Sequence, residues 1–389
     1  MSWEKKKLSE CCESISDGDH QAPPKADSGI PFVTIANINQ HNQFDFQNTM
    51  FVPREYYDCL DNKRKPKPDD ILYSVVGSFG IPVFMKHEAE FVFQRHIAIL
   101  RPGKEISPKF LYYVMLSRKF YMQADSVAIG AAQRTISLTA LRNMEIELPP
   151  IEIQQHIADI LSAYDDLIEN NQKQIKLLEE AAQRLYKEWF VDLHFPGWEN
   201  ATIIDGVPEG WKRERLIDIA DVQYGFAFNG ALFNSERKGT PIIRIRNIPS
   251  AQTEDYTTEN AEQRYIVHNG DILIGMDGEF HINTWGGPDS YLVQRVCSFR
   301  PHDESIKGYL LQAIVAPVKF FEKTVVGATV AHLGKKHIDS IEIITAPTKY
   351  YVPFQVWYKK RQLLMNQNIL LAEGRDRLLP KLMSGELEV

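Results

Sequence analysis

The chain carries the same succession of short sequence landmarks twice. Gly29–Ile38 is repeated as Gly239–Ile248, and Asp70-Ile71-Leu72 is repeated as Asp271-Ile272-Leu273. Four more landmarks recur in the same order: Trp3 as Trp211, Gln94-Arg95 as Gln294-Arg295, Arg101-Pro102 as Arg300-Pro301, and Glu145-Ile146 as Glu342-Ile343. The sequence distance between the two copies of each landmark is much longer than the repeat length of a solenoid protein. It predicts a duplicated domain with a connector, an approximate two-fold axis within the chain, and a ligand with two similar halves.

The composition is typical of a globular protein with no membrane span. Hydrophobic residues make up 44% of the 389 residues and charged residues 24%, which is ordinary for two or three domains with proper cores. No apolar run is long enough to cross a bilayer, and the N-terminal segment is polar. The four cysteines form no Cys-x-x-Cys pair. We therefore expect a cytoplasmic protein with no membrane partner, no zinc site and no disulfides.

The net charge of −7 is unevenly distributed. Residues 151–190 contain eight acidic and four basic side chains, so this segment carries about four excess negative charges and suits a protein partner better than DNA. Basic residues gather at Lys63–Lys67, Lys212–Arg215 and Lys335–His337. Each of these clusters, taken alone, is most simply a solvated loop.

Four segments follow one another along the chain: residues 1–150, 151–194, 195–347 and 348–389. The first and third alternate short apolar runs with glycine and proline turns, which predicts mixed domains with a β-dominated core. The predicted strands are 32–35, 70–76 and 96–100 in the first copy, and 241–245 and 271–275 in the second. Helices are predicted over 108–122 and 306–321.

The second and fourth segments show the heptad pattern of a coiled coil, with apolar rows at a spacing of seven residues. The seam positions in the second segment are Ile157, Leu161, Tyr164, Ile168, Asn171, Ile175, Leu178 and Leu185, and those in the fourth are Trp357, Leu364, Leu371 and Leu378. A buried amide at Asn171 costs stability but selects one register. Trp189 and Phe190, at the end of the first seam, are assigned to core packing.

Each helix follows an equivalent domain, so the two helices are predicted to pair antiparallel with the domains at opposite ends. The predicted fold is α+β: two β-rich mixed domains separated by a pair of long antiparallel coiled-coil helices, with pseudo-two-fold symmetry.

This organisation resembles the specificity (S) subunit of type I restriction-modification enzymes. Leu148–Ala158 is similar to the family's entry into its central conserved region, and Arg184–Phe190 is similar to the end of that helix. Leu378–Leu387 resembles the usual C-terminal ending. The resemblance covers essentially the whole chain.

The resemblance implies a DNA-reading subunit. Residues 1–150 and 195–347 would be target-recognition domains 1 and 2, each reading one half of a split sequence in double-stranded DNA. Residues 151–194 and 348–389 would be spacer helices that set the gap and dock two methyltransferase (M) subunits. Those subunits would carry S-adenosylmethionine and methylate adenine in each half-site. Restriction (R) subunits, in complexes that contain them, would add ATP and magnesium, so no cofactor is expected in this chain.

Catalytic motifs are missing from the sequence. There is no Asn-Pro-Pro-aromatic or Asp-Pro-Pro-Tyr tetrad, because Pro149-Pro150 is flanked by Leu148 and Ile151. The phosphate loop GxxxxGK[ST] and the metal motif HExxH are also missing. The sequence therefore predicts a subunit without catalytic or metal-binding residues.

The first candidate DNA contacts are Gln94-Arg95 and Gln294-Arg295, which precede a strand in both copies. Arginine suits guanine and glutamine suits adenine in the major groove. The alternative interpretation is that these residues brace a turn, and the two interpretations are about equally supported.

Residues that differ between the copies are stronger candidates for specificity, because the two halves should read different words. Arg244 and Arg246 stand where the first copy has Thr34 and Ala36, and on an alternating strand both arginines would share one face. The alternative is the solvated face of an edge strand.

A third candidate is Arg134, in the small-residue loop Gly130–Arg134 that matches Gly327–His332. Small residues let the backbone approach a phosphate, which Arg134 would neutralise. A tight turn is the competing explanation.

Two other function classes remain open: a coiled-coil scaffold whose globular ends bind proteins, and a self-sufficient enzyme with an unrecognised site. A scaffold predicts no preference among DNA duplexes, whereas an S subunit predicts salt-sensitive binding to one split sequence. An enzyme predicts methyl transfer without an M partner.

Overall fold

The structure is a computed structural model that describes residues 3–20, 22–39, 41–131, 133–325 and 331–389. The chain forms two compact units. Unit 1 comprises Met1–Asp166 with Ala372–Val389, and unit 2 comprises Leu167–Leu371. Each unit therefore contains one globular domain and one segment of each long helix.

The two domains share the topology of their central sheet, a four-stranded antiparallel sheet. In strand order it consists of Cys12–Asp17, Ile97–Pro102, Ile71–Ser74 and Pro82–Phe84 in unit 1, and of Ala220–Tyr224, Val296–Pro301, Ile272–Gly275 and Ile282–Thr284 in unit 2. A second sheet in each unit contains a parallel strand pair: Ile30–Val33 with Val92–Phe93 in unit 1, and Thr240–Ile243 with Ser290–Leu292 in unit 2. The predicted duplication and the mixed helix-and-sheet class are confirmed.

The remaining strands extend these sheets or form two-stranded ladders. They are Met50–Val52, Glu4–Lys7 and Glu145–Leu148 in unit 1, and Ile203–Ile204, Val207–Pro208, Lys212–Arg215, Phe233–Asn234, Tyr256–Thr257, Ile266–Val267 and Glu342–Thr345 in unit 2.

Short helices pack beside the sheets. The α-helices are Leu8–Cys11, Arg54–Asp58, Pro108–Leu116, Arg118–Val127, Leu138–Asn143, Leu216–Ile219, Lys307–Ala313, Val315–Thr324 and Lys335–Asp339. The 3-10 turns are Ile35–Asn37, Asn62–Arg64, Trp198–Asn200, Gly230–Leu232, Ile245–Asn247, Gln263–Tyr265, Glu304–Ile306 and Thr348–Tyr350.

Two long helices complete the chain, Ile151–Tyr186 and Val352–Ser384. A π-helical turn, Lys187–Val191, ends the first of them. It carries Phe190 into the core of unit 2, where the ring is only 2% exposed. The interpretation of Phe190 as a packing residue is confirmed. No helix among the described residues is both long enough and apolar enough to span a bilayer.

The predicted strand over 241–245 is wrong at its end. The strand stops at Ile243, and Arg244 begins a 3-10 turn because its backbone N–H donates to Asn247 Oδ1 at 2.8 Å. This side-chain acceptor offers the backbone an alternative to the sheet ladder. Thr34 makes the same 2.8 Å bond to Asn37 in unit 1. The inference that Arg244 and Arg246 share one strand face therefore fails.

The predicted helix over 108–122 is two helices. It breaks at Ser117, whose backbone is extended and whose Oγ accepts a hydrogen bond from Phe120 N at 3.2 Å. A serine at this position caps a new helix start better than it continues the old one. The predicted helix over 306–321 is likewise divided, near Ile314.

Candidate nucleic-acid interface

The repeated Gln-Arg pair lies in the turn that leads into a six-residue strand of each central sheet, Ile97–Pro102 in unit 1 and Val296–Pro301 in unit 2. In unit 1 the backbone N–H of Gln94 donates to Val33 O at 3.1 Å, and that of Arg95 donates to Asp19 O at 3.0 Å. The Arg95 side chain is exposed and makes no ion pair with any described residue. The backbone thus braces the turn while the guanidinium remains available to a ligand, so the two interpretations of this pair are compatible.

Arg95 faces a cleft of about 280 Å³ in unit 1. The polar side chains that line it are Asp17, His20, Arg95, His96, Gln133, Thr135 and Ser137. His20 Nε2 lies 2.7 Å from Asp17 Oδ2, which orients the imidazole. Burial, and then the charge of Arg95, lower the pKa of His96, so this ring is neutral near neutral pH. The cleft therefore combines one arginine with the Asp17 carboxylate and with amide, hydroxyl and imidazole groups. Arginine and side chains of these kinds are the groups that read base edges.

A glycine at position 18 allows this arrangement. A Cβ there would lie 2.1 Å from Phe93 O. A Cβ at the matching Gly225 of unit 2 would lie equally close to Val293 O. No other residue can bring Asp17 and His20 so near the Arg95 turn.

Unit 2 places different polar groups around the same turn. Arg295, which has a left-handed φ of 73°, is exposed. Its Nε lies 3.4 Å from Asp277 Oδ2, and His332 Nδ1 lies 2.6 Å from Asp277 Oδ1. Asp277 and His332 form an isolated β-bridge, as do Val76 and Thr135 in unit 1. One scaffold thus holds the arginine in both units, while its neighbours change from a Val–Thr pair to an Asp–His pair.

The Arg134 side chain already has partners within unit 1. Its guanidinium contacts the Asp125 carboxylate and lies 5.3 Å from the centre of the Phe79 ring. Ala132 of the predicted small-residue loop, and residues 326–330 of its counterpart, lie outside the described residues. A role for Arg134 at a phosphate remains a prediction.

Arg244 and Arg246 lie on the 3-10 turn rather than on a strand. The Arg244 guanidinium lies 5.8 Å from the centre of the Phe233 ring. Arg246 is exposed and pairs with Asp255. Exposed ion pairs of this kind contribute little to stability, so Arg246 can exchange Asp255 for a ligand at small cost. Its role in reading also remains a prediction.

An ion pair between a half-buried arginine and a buried aspartate joins each central sheet to the loop before it. The pair is bidentate in unit 1, whereas in unit 2 both arginine nitrogens contact Asp271 Oδ2. Arg101 Nε and Nη2 lie 2.9 and 2.7 Å from the two Asp70 oxygens, and Arg300 binds Asp271 at 3.0 and 2.9 Å. The hydrogen bond with Asp70 raises the pKa of Arg101. Both pairs come from sequence landmarks that recur, so their recurrence reflects the fold rather than base reading.

The seam residues predicted on the helices are buried or half-buried. In unit 2, Asn171 Nδ2 donates to Asn368 Oδ1 at 2.9 Å, and Arg361 Nε donates to Glu179 Oε1 at 2.6 Å. These two contacts make the helix segments antiparallel within this unit. The Asn171 amide also donates to Gln367 Oε1 at 3.5 Å. Its predicted role in selecting the register stays a prediction.

In unit 1 the helix segments meet through Asp165 and Arg375, whose Oδ1 and Nη1 lie 2.6 Å apart. Tyr113 donates to the other oxygen of Asp165 at 2.5 Å. Burial, and then the charge of Asp165, raise the pKa of Tyr113. Ile157 and Leu382 belong to the same buried cluster.

Sequence reasoning missed a repeated glutamine that positions each domain on its helix. Gln154 Oε1 accepts from Ser107 N at 2.9 Å, and Gln355 Oε1 accepts from Gly308 N at 3.0 Å. Each amide thus caps the first domain helix after the central sheet. The sequence signal that could have identified these two glutamines is their equivalent position near the start of each long helix.

Sequence reasoning also missed Arg361, which is 8% exposed. Besides Glu179, it donates to Thr284 Oγ1 at 2.7 Å and to Asn283 Oδ1 at 2.6 Å. No heptad rule distinguishes such a residue from a solvated arginine, because its partners lie far away in the sequence.

Comparison with known proteins identifies the family. The sequence profile described as "Type I restriction modification DNA specificity domain" matches residues 1–180 and 208–350, one match per repeat. The chain belongs to this family. It is 28% identical to the MjaIX specificity subunit of Methanocaldococcus jannaschii, over 74% of this chain and 71% of that protein. It is 24% identical to the HindI specificity subunit of Haemophilus influenzae, over 92% and 95% of the two chains.

The fold is also that of a solved family member. The S subunit of a type I restriction-modification system from M. genitalium superposes with a TM-score of 0.57 at 15% identity, over 98% of this chain and 96% of that one. At this identity the likeness concerns the fold alone. The resemblance drawn from the repeats is confirmed.

Proposed function

We propose that this chain reads a two-part DNA sequence for a type I restriction-modification complex, one half per domain. The observation that carries the proposal is the pair of exposed arginines, Arg95 and Arg295, on the same turn of a repeated scaffold with different polar neighbours. A shared scaffold suits the common geometry of two DNA half-sites, and different neighbours suit two different words.

The test uses the chain co-expressed with M subunits encoded beside it, followed by sequencing of methylated adenines. The wild-type complex should mark one bipartite sequence. Arg95→Ala should relax one half of it and Arg295→Ala the other, each by about 1–3 kcal/mol of discrimination, which is about 5- to 150-fold. The matched variants serve as each other's control.

A contiguous methylated word would contradict the proposal, and so would equal loss of both halves in each folded variant. Methylation with no sequence preference would favour a scaffold. Methyl transfer by the purified chain alone would favour a self-sufficient enzyme.

We further propose that the M subunits dock on an exposed apolar row of unit 2. Val356, Leu363 and Leu370 follow one another at heptad spacing, and each is more than half exposed. Leu167 and Leu177 on the first long helix are also exposed. Exposed rows of this size mark protein interfaces more often than solvated faces. Leu363→Ser with Leu370→Ser should abolish co-purification of M subunits, and full retention would contradict this docking site.

Cofactors belong to the partners in this proposal. The M subunits would supply S-adenosylmethionine, and R subunits, where present, would supply ATP and magnesium. The described residues contain no cluster of three or more His, Cys, Asp and Glu side chains arranged for a metal. The complex would act in the cytoplasm, where its DNA is. Binding of S-adenosylmethionine to the isolated chain would contradict this division of roles.

A further inference from the structure

A strongly basic loop lies beside the cleft of unit 1. Residues 62–67 read Asn-Lys-Arg-Lys-Pro-Lys, with four cations in six positions. Lys63 and Lys67 are exposed, whereas Pro66 is buried. The loop thus has an anchored interior and a cationic outer surface.

The backbone of this loop is held by the half-buried Arg101 and by Ser16. Arg101 Nη2 donates to Lys65 O at 3.1 Å, and Nη1 donates to Asn62 O at 3.4 Å. Ser16 Oγ donates to Lys63 O at 2.8 Å. The carbonyls therefore point into the protein, and the lysine side chains need no backbone rearrangement to meet a ligand. Such preorganisation lowers the entropic cost of binding.

The loop and the cleft share one side chain, Asp17. Arg64 Nη2 lies 3.8 Å from Asp17 Oδ1, and Asp17 lines the cleft together with Arg95. Arg64, and through it the loop, therefore adjoins the cleft that Arg95 lines. A DNA strand whose base edges reach Arg95 would bring its phosphates to this side.

Two of the four cations have no partner among the residues that the structure describes. Arg64 is partly neutralised by Asp17, and Lys65 Nζ donates to Asp58 O at 2.9 Å. The Nζ atoms of Lys63 and Lys67 make no hydrogen bond or ion pair with any described residue. Two uncompensated positive charges remain for a polyanion.

Unit 2 has the same anchored loop without these charges. Arg300, the counterpart of Arg101, donates to Ile266 O, so residues 263–268 correspond to 62–67. Arg264 is paired with Glu262 at 3.0 Å, and His268 lies 2.8 Å from Asp289. The arginine anchor recurs in both loops, whereas cations without a partner among the described residues occur in the loop of unit 1 and not in its counterpart.

We propose that the loop 62–67 contacts phosphates of the DNA backbone through Lys63 and Lys67, and that its counterpart in unit 2 does not. This inference rests on the proposed function. It makes the two half-sites unequal: unit 1 supplies a sequence-independent, salt-sensitive contact that unit 2 lacks. Such contacts position a protein on the duplex without carrying sequence information.

The experiment compares the assembled complex with its Lys63→Gln/Lys67→Gln variant. Affinity for a duplex with the methylated bipartite sequence is measured at several salt concentrations. Each phosphate contact contributes about 0.9 to the slope of log K against log salt. The variant should therefore lose about 2 from the slope, weaken uniformly on all duplexes, and keep its sequence preference and melting temperature.

The matched control is Arg264→Gln/His268→Gln in unit 2, which should leave the slope unchanged. Equal slopes for wild type and the lysine variant would overturn the loop proposal. If the slope is unchanged and M-subunit assembly is weakened, the loop contacts a protein rather than DNA. If the wild-type complex does not prefer the bipartite duplex over a scrambled one, the proposed function itself fails. The two failures are thus distinguishable.

Discussion

Arg101→Ala is expected to destabilise unit 1 by about 3–5 kcal/mol, because removal of one partner leaves a buried charge uncompensated. Asp70 is 1% exposed, and Arg101 supplies both of its close ionic contacts. The carbonyls of the loop 62–67 would lose both hydrogen bonds from Arg101 at the same time. Hydrogen exchange should show faster opening of Ile71–Ser74.

The duplicated fold supplies the control for this prediction. Arg300→Ala should produce the mirror result, with faster exchange in Ile272–Gly275 and little change in Ile71–Ser74. Arg215→Ala, which removes an equally bidentate but exposed pair with Asp218, should leave exchange in both sheets unchanged. An Arg101→Ala protein with wild-type protection would show that Asp70 does not need its partner.

Phe190→Ala is expected to cost about 3–5 kcal/mol in unit 2, the range for truncation of a fully buried phenylalanine. The Phe190 ring centre lies 4.6 Å from that of Tyr309 and 5.0 Å from that of Trp211. It also stacks on Tyr186, in the last turn of the first long helix. The cavity would therefore loosen the attachment of that helix to its domain. Urea unfolding followed by tryptophan fluorescence measures the loss.

Two substitutions make the test specific. Phe190→Leu retains most of the apolar volume and should cost much less than the alanine variant. Phe320→Ala, at a ring that is 61% exposed, should change the unfolding free energy little. Comparable losses at Phe190 and Phe320 would contradict a packing role confined to the buried ring.

Patterns that depend on near neighbours predicted the fold well. The repeated landmarks identified a duplicated domain, and seven-residue spacing identified the helices and their inward faces. The strand end at Arg244 was wrong because a side-chain bond from Asn247 competed with the sheet. The break at Ser117 escaped notice for the same reason, since a single hydroxyl ends one helix and starts the next.

The candidate site was predictable only in part. The recurrence of Gln94-Arg95 marked a turn, but which side chains surround each arginine depends on residues as distant as Asp17 and Gln133 in unit 1. Arg134 and Arg246 looked free in the sequence, yet each has an acidic partner. Conversely, the sequence indicated an ordinary solvated loop at residues 62–67. The contacts of this loop with Arg101 and Asp17 place it beside the cleft.

The sequence by itself determined the duplication, the α+β character and the two long helices, because repeats and periodicity are one-dimensional properties of a chain. Only the tertiary structure decided which charges are neutralised and which remain available. Charge pairing depends on distances of a few ångströms between segments far apart in the sequence. Arg101 therefore binds the buried Asp70, whereas Lys63 and Lys67 have no partner among the described residues.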